Sequence, residues 1–240
     1  MAGRRGSAPA PRSARSAPAP ARVRAPEVPE DLPDHDGELA DDLRVENVRL
    51  TGSWAGESFE GLEIWGSRLA GVRLTGATLD GLVLKDVVAT DCELSGATLA
   101  STVLERVRFE RCRLSGLVAT ELNARDVRMV DCVLDEAWLR TSTFERCELS
   151  GCNLRNADLY AARLKDTRLV HSQLDGSEWS KATVDNVALH GSSIDGLRGA
   201  EALRKVVIAS DQLLALAIPM LARLGVTVDD DYLARFDLDG

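Results

Sequence analysis

The sequence predicts an all-β solenoid, in which the chain winds repeatedly around a narrow apolar core. The first observation is a period of five, because an apolar residue, usually a large one, stands at every fifth position from Phe59 to Ile194. This period fits neither the roughly 3.6 residues of a helical turn nor the two-residue alternation of a strand. The second observation is the low aromatic content of 4%, which suits a core filled by Leu, Val, Ala and Cys.

Residues 1–42 lack this period and are rich in Ala, Pro, Ser and Gly. Such a composition buries too little apolar surface to offset the entropy of ordering, so the sequence predicts a disordered tail over 1–42. Its arginines lie between Arg4 and Arg24, and its acidic residues lie between Glu27 and Asp42. The basic part allows weak contact with nucleic acid, although no aromatic residue is present to stack on bases. The plainer interpretation is a solubilising tail.

The repeats are assigned to residues 43–198. In each five-residue unit, two residues separated by one position face inward. This pattern suits a chain that runs straight for a few residues and then turns a corner. Four such corners close a square. Counting from 59 to 194 in steps of five gives 28 units, which make seven coils of 20 residues if four units form one coil. Val48, Leu50 and Trp54 lie one residue out of step, so we expect an irregular first coil.

Four cysteines test the coil length independently, because they are spaced by 20 residues and each precedes a central apolar position by two. In a square coil they stack in one inward column. Parallel inward side chains have the wrong geometry for disulfides, so we expect a ladder of reduced thiols. Neither a CxxC pair nor an inward histidine completes a zinc site, so we expect no metal. The ladder consists of Cys92, Cys112, Cys132 and Cys152.

Three central positions are alanine, and in each of these units the inward residue two places earlier is large. The larger inward side chain therefore fills the volume that the alanine leaves, as a close-packed core requires. The pairs are Val87 with Ala89, Leu117 with Ala119, and Leu122 with Ala124.

The repeat resembles that of the pentapeptide-repeat proteins, whose unit is commonly written A(D/N)LXX. NADLY at 156–160 and GCNLR at 151–155 match this unit directly. The resemblance extends over the 28 consecutive units and implies a right-handed quadrilateral parallel β-helix. Some members of that family protect DNA gyrase from inhibitors and resemble B-DNA in size, shape and negative charge, which makes DNA mimicry a specific alternative.

Residues 199–240 depart from the repeat and predict a helical cap followed by an acidic tail. We expect Ser210 to cap a helix over 211–224, Gly225 to end it, and Pro219 to kink or split it. The open end of a solenoid needs such a cap. The apolar face is wider than a cap requires, and similar segments in the family mediate dimers, so we expect a homodimer through this helix. The face comprises Leu213, Leu214, Leu216, Ala217, Met220, Leu221 and Leu224.

Composition favours a cytoplasmic protein. No secretory signal precedes the five cysteines, and no apolar run approaches the roughly 18 residues of a membrane span. The three histidines have no convergent catalytic partners, and the glycines from Gly61 to Gly81 precede no helix N-terminus that would make a phosphate loop. We therefore expect no enzymatic activity, no cofactor and no membrane association.

The outer faces remain as the place for function. Their outward charges sum to between about −3 and about +1 per face, a weak bias beside duplex DNA with a charge every ~1.7 Å. On one face Trp138 and Tyr160 point outward from adjacent coils, as partner hot spots do, although aromatics also simply fill β surfaces. Trp65 on another face is taken as isolated. The candidate partner surface is Trp138, Arg140, Asp158, Tyr160, Glu121 and Glu178.

The sequence thus predicts a non-catalytic, dimeric scaffold that binds another protein. The alternative is a DNA-mimicking binder of DNA gyrase or topoisomerase that confers resistance to gyrase inhibitors. Direct contact with nucleic acid is expected only weakly, through the arginine-rich tail.

Overall fold

The structure is a computed structural model that describes residues 21–35 and 37–227. These residues form a parallel β-solenoid of about seven coils with one short helix at its C-terminal end, which confirms the predicted fold class. Residues 1–20, Asp36 and the acidic tail from 228 to 240 lie outside the described residues.

The strands are short because each side of a coil holds only one five-residue unit. Those of the described residues are β1 (Arg44–Glu46), β2 (Arg49–Leu50), β3 (Ser58–Glu60), β4 (Glu63–Trp65), β5 (Arg68–Ala70), β6 (Thr78–Asp80), β7 (Val83–Thr90), β8 (Thr98–Ala100), β9 (Val103–Glu110), β10 (Val118–Thr120), β11 (Asn123–Val130), β12 (Thr143–Glu145), β13 (Glu148–Ser150), β14 (Arg163–Lys165), β15 (Arg168–Val170) and β16 (Thr183–Asp185). Two 3-10 turns, Ala200–Ala202 and Ser210–Gln212, precede helix α1 (Leu213–Arg223).

Strand register confirms that four units make one coil. Phe59 pairs with Leu79, Leu79 with Leu99, and Leu99 with Ala119, always in parallel and 20 residues apart. The first coil is one residue short, because Val45 pairs with Ile64. The predicted irregularity of this coil is therefore confirmed.

Successive units fill four faces, named here by their central residues. The first face is centred on 59 through 179, the second on 64 through 184, the third on 69 through 189, and the fourth on 74 through 194. Since units two apart lie on opposite sides of a square, the first face is opposite the third. The longer strands β7, β9 and β11 continue around the corner between the second and third faces.

Each corner is made by a residue in the left-handed region, two positions after the central residue. Gly61 has φ 66°, and Asp126 has φ 56° at an equivalent corner. Glycine adopts this conformation without strain, and short polar side chains such as Asp and Asn tolerate it best among the others. The five-residue period is therefore the distance between successive left-handed corners.

The small inward residues form hydrogen-bonded columns. The thiol of Cys92 donates to the carbonyl oxygen of Leu69 at 3.6 Å, and that of Cys112 donates to Ala89 at 3.5 Å, each 23 residues back. Ser172 and Ser192 repeat this relationship higher in the same column. The five cysteines of the chain are free and buried, and burial raises the pKa of the Cys147 thiol to about 12.

Residues 21–42 differ from the disorder expected of them wherever they are described. Leu32 and Leu39 are buried, and the backbone N–H of His35 donates to the carbonyl oxygen of Arg49 at 2.8 Å. Asp34 and Arg49 form a parallel bridge. The segment is ordered by contacts with the solenoid, which its own composition does not reveal.

The C-terminal helix also differs in detail from the prediction. Ser210 begins a 3-10 turn and is not an N-cap, and α1 starts at Leu213. The helix is not split, because it continues through Pro219 to Arg223. Gly225 stops the helix as predicted: it follows the C-cap residue Leu224 with a φ of 72°, and its N–H donates to the carbonyl oxygen of Ala222. Among the helices of the described residues, none has the length and hydrophobicity to span a bilayer.

Candidate functional site

A column of outward side chains on the first face carries the candidate site. Parallel bridges join Val118 to Trp138, Trp138 to Asp158, and Asp158 to Glu178, so these residues lie above one another in successive coils. Trp138 is 54% exposed, a large fraction for so large an apolar side chain.

Arg140 lies between the two aromatic rings of this surface. Its guanidinium carbon is 5.9 Å from the centre of the Trp138 ring and 5.5 Å from that of Tyr160. The ammonium of Lys181 lies 5.1 Å from the Tyr160 ring. Tryptophan, arginine, tyrosine and lysine therefore alternate across three coils, with each cation against an aromatic ring.

Asp158 holds this arrangement in place. Its carboxylate accepts a hydrogen bond from Nε of Arg140 at 2.6 Å and another from the backbone N–H of Tyr160 at 2.9 Å. The arginine is thus positioned before any partner arrives, which lowers the conformational entropy that binding would cost.

The two predicted glutamates are less closely involved. Glu178 accepts a hydrogen bond from the backbone N–H of Ser180 at 2.7 Å and lies 3.5 Å from Nε of Arg198. Glu121 is an exposed corner residue with φ 59°. The structure therefore brings together Trp138, Arg140, Asp158 and Tyr160, named here the aromatic patch. The sequence pattern did not lead us to include Lys181 in the candidate surface. Its position 21 residues after Tyr160, one coil and one residue further along, indicates that the two side chains can meet.

Trp65 on the second face is not isolated, contrary to expectation. Its ring is 4.3 Å from the guanidinium carbon of Arg44 and 4.6 Å from the ammonium of Lys85. These cations come from the coils below and above, with which Trp65 shares strand pairing through β1 and β7. Trp65 is also half-buried, so it offers less surface to a partner than Trp138.

Helix α1 divides its predicted apolar face in two. Ala215 and Leu216 pack against the end of the core, and Ala217 is half-buried. Leu214 is 72% exposed and Leu224 is 77% exposed. The remaining exposed large apolar side chains near α1 are Leu213, Ile218, Met220, Leu221 and Val226.

Side chains that could bind a metal ion do not converge in the part of the chain that is described. No three of its His, Cys, Asp and Glu residues come together as a ligand set.

Comparison with solved structures returns several repeat proteins of low identity. A trypsin-treated variant of QnrB1, described as a plasmid-mediated fluoroquinolone resistance protein, is 19% identical, with 75% of this chain and 98% of that chain covered and a TM-score of 0.39. HetL, a pentapeptide-repeat protein involved in heterocyst differentiation regulation in the cyanobacterium Nostoc sp. strain PCC 7120, is 15% identical over 70% of this chain and 87% of that chain, with a TM-score of 0.29. No curated protein matches the chain.

Family models give the assignment. The model described as pentapeptide repeat region matches residues 125–198. A second, described as pentapeptide repeats (8 copies), matches residues 67–106 and 92–137. Together these matches run from 67 to 198, through the coils that carry the aromatic patch. The chain belongs to the pentapeptide-repeat family.

Proposed function

We propose that the protein is a non-catalytic scaffold that binds another protein through the aromatic patch. The observation that carries this proposal is Arg140, held by Asp158 between the rings of Trp138 and Tyr160. Exposed tryptophan, tyrosine and arginine are the residues most enriched in the energetic centres of protein interfaces.

The open surface around the aromatic patch also supports binding over catalysis. Active sites are normally concave, and they bring an acid, a base or a nucleophile together. The aromatic patch offers two rings and one cation on a solenoid face, with its one central carboxylate already paired to Arg140. Such a surface suits contact with a second protein.

The test is quantitative affinity capture with the full-length protein and two tryptophan variants. Trp138→Ala removes the exposed ring beside Arg140, and Trp65→Ala removes a ring that contacts two cations on another face. We expect Trp138→Ala to reduce the amount of captured partner at least about tenfold, and Trp65→Ala to leave that amount unchanged. Equal retention by both variants would refute the role of the patch, provided that circular dichroism shows both to be folded.

The second part of the proposal is a homodimer through α1. Leu214 and Leu224 are the most exposed large apolar residues of the helix segment, and covering them would remove unfavourable apolar surface from water. A second copy of the chain supplies the same apolar residues to a two-fold interface.

The gyrase-binding alternative predicts a different outcome in solution. A DNA mimic needs a dense negative surface, whereas the third face carries a column with Arg68, Arg108, Arg128 and Arg168. We therefore expect the purified protein to leave the supercoiling activity of DNA gyrase unchanged. Inhibition, or protection from a quinolone, at low micromolar concentration would replace the scaffold proposal with the alternative.

A further inference from the structure

The N-terminal strap, residues 22–28, lies along the corner between the second and third faces. The backbone N–H of Arg24 donates to Oδ1 of Asp126 at 3.2 Å, and the backbone N–H of Glu27 donates to Oδ1 of Asp86 at 3.0 Å. Asp86 and Asp126 are corner residues two coils apart, about 10 Å, which is also the length of three extended residues. The strap is therefore extended and runs toward the N-terminal end of the solenoid.

Asp126 is the main anchor of the strap. Its side chain is fully buried and receives Nε of Arg24 at 2.9 Å and Nε of Arg146 at 2.9 Å. Burial acts to raise the pKa of Asp126, but the hydrogen bonds from Arg146 and Arg24 outweigh it and lower the pKa to about 2. The carboxylate stays ionised, so the strap is held by charge-assisted hydrogen bonds.

Between the strap and the third face lies a groove of about 680 Å³, named here the arginine groove. One wall is the outward column of the third face, in which strand pairing aligns residues of six successive coils. The other wall is the strap. The charged residues that line the groove are Arg22, Arg24, Arg68, Arg108, Arg128, Arg168, Glu110 and Glu148.

The arginines of this groove exceed the carboxylates that neutralise them. Glu148 is shared, because both Arg128 and Arg168 form ion pairs with it. Arg108 pairs with Glu110. Among the described residues, Arg22 and Arg68 have no acidic partner. The groove therefore keeps uncompensated positive charge at both walls, which favours an anionic occupant.

The shape and lining favour a peptide over a nucleic acid. Duplex DNA is too wide for a groove of this volume, and no Phe, Tyr or Trp lines it to stack on the bases of a single strand. Val23, Val28 and Val88 contribute apolar lining that a peptide backbone and its methylene groups can contact. From Arg68 to Arg168 the wall spans five coil steps, about 24 Å, or roughly seven residues of an extended chain.

We propose that the arginine groove binds an extended acidic peptide segment of a partner protein, whose carboxylates pair with Arg22, Arg68 and Arg128. The groove lies on the face opposite the aromatic patch, so this binding does not depend on the patch.

The test uses a fluorescein-labelled decapeptide of alternating glutamate and serine, with the glutamine–serine counterpart as the uncharged control. Fluorescence anisotropy with the full-length protein should show binding of the glutamate peptide that weakens as salt is raised, and no binding of the glutamine peptide. Absence of binding to the glutamate peptide at low ionic strength would overturn the proposal.

Strand β11 provides a matched pair of variants. Arg128 faces the groove, is 48% exposed and pairs with Glu148 at 3.0 Å, whereas Arg125 is 50% exposed and pairs with Glu145 at 3.5 Å on the second face. We expect Arg128→Glu to weaken peptide binding about tenfold and Arg125→Glu to change it less than about twofold. Equal effects would mean that only net charge matters, and would refute the site.

Three further measurements distinguish the proposal from a folding defect and from other occupants of the groove. Arg68→Glu breaks no ion pair of the described residues, so it should weaken binding about tenfold without lowering the unfolding midpoint. Tighter binding of a labelled ten-nucleotide oligothymidylate than of the peptide would reassign the groove to nucleic acid. Binding that appears only when residues 228–240 are removed would assign it to the chain's own acidic C-terminal segment. Either result overturns the proposal.

Discussion

The side-chain amide of Gln212 donates a hydrogen bond of 2.8 Å to the carbonyl oxygen of Leu189, 23 residues earlier in the chain. This is the relationship that Cys92 has with Leu69 and that Ser192 has with Leu169. Gln212 thus continues the inward column of the repeats beyond the last coil. It places the 3-10 turn, and with it α1, in register on the end of the solenoid.

We expect Gln212→Met to destabilise the cap by about 1–3 kcal/mol, because buried polar groups lose their partners. Besides its bond to Leu189, Gln212 donates to the carbonyl oxygen of Ser192 at 2.6 Å and accepts from the backbone N–H of Ala209 at 2.6 Å. Chemical denaturation measures the loss. Gln173→Met, at an exposed position, is the control and should leave the midpoint unchanged.

Leu122→Ala should lower the free energy of unfolding by about 2–5 kcal/mol. Leu122 is 3% exposed and fills the space left by its neighbour Ala124, so its removal leaves a cavity in the core. Leu214→Ala, at a residue 72% exposed, should change the free energy of unfolding of each folded chain by less than about 0.5 kcal/mol. Both variants are measured at protein concentrations below the dissociation constant of the dimer. Similar losses of unfolding free energy in the two would show that Leu122 does not face the core.

Gly199→Ala should be much more damaging than Gly196→Ala. Both glycines have positive φ, 74° and 64°, so both alanines cost about 1–2 kcal/mol of backbone strain. A Cβ on Gly199 would also clash with the backbone nitrogen of Ser180, whereas the nearest atom to a Cβ on Gly196 is 3.9 Å away. Thermal unfolding of the two variants compares the costs, and equal melting temperatures would contradict the close backbone contact.

Asp126 should make stability fall in acid. The pKa of Asp126 is about 2 in the folded chain, below its ordinary 3.8, so its ion pairs stabilise the fold fully above pH 4 and lose this effect as pH falls toward 2. We expect Asp126→Asn to be less stable than wild type at pH 7, with a difference that shrinks between pH 4 and pH 2. A difference that stays constant over that range would show that the carboxylate charge is not involved.

The dimer is tested by light scattering. Full-length protein should have twice the chain mass of 25.9 kDa, and the double variant Leu214→Glu and Leu224→Glu should have the mass of one chain, because charges placed in an apolar interface are costly to desolvate. Thr75→Glu, at an exposed position far from α1, is the charge control. A dimer that survives the double substitution would place the interface elsewhere.

The inward residues of the repeat were predictable, and the contacts made by residues outside the repeat were not. Leu79, Cys112 and Leu122 lie where the five-residue period puts them, because every coil imposes the same inward positions and the same left-handed corner. Arg24 lies 102 residues from Asp126 in the sequence, and no period relates them. The strap was therefore expected to be disordered, since local composition carries no information about a partner so distant.

The sequence by itself determined the fold class, the coil length and the side of each repeat that faces the core, because apolar burial acts on a periodic pattern. The tertiary structure decided the contacts that the repeat pattern did not predict. It placed Lys181 on Tyr160, Arg44 on Trp65, and the strap across the corner at Asp126. These contacts depend on the direction and reach of long side chains from different coils, which become fixed only when the coils stack.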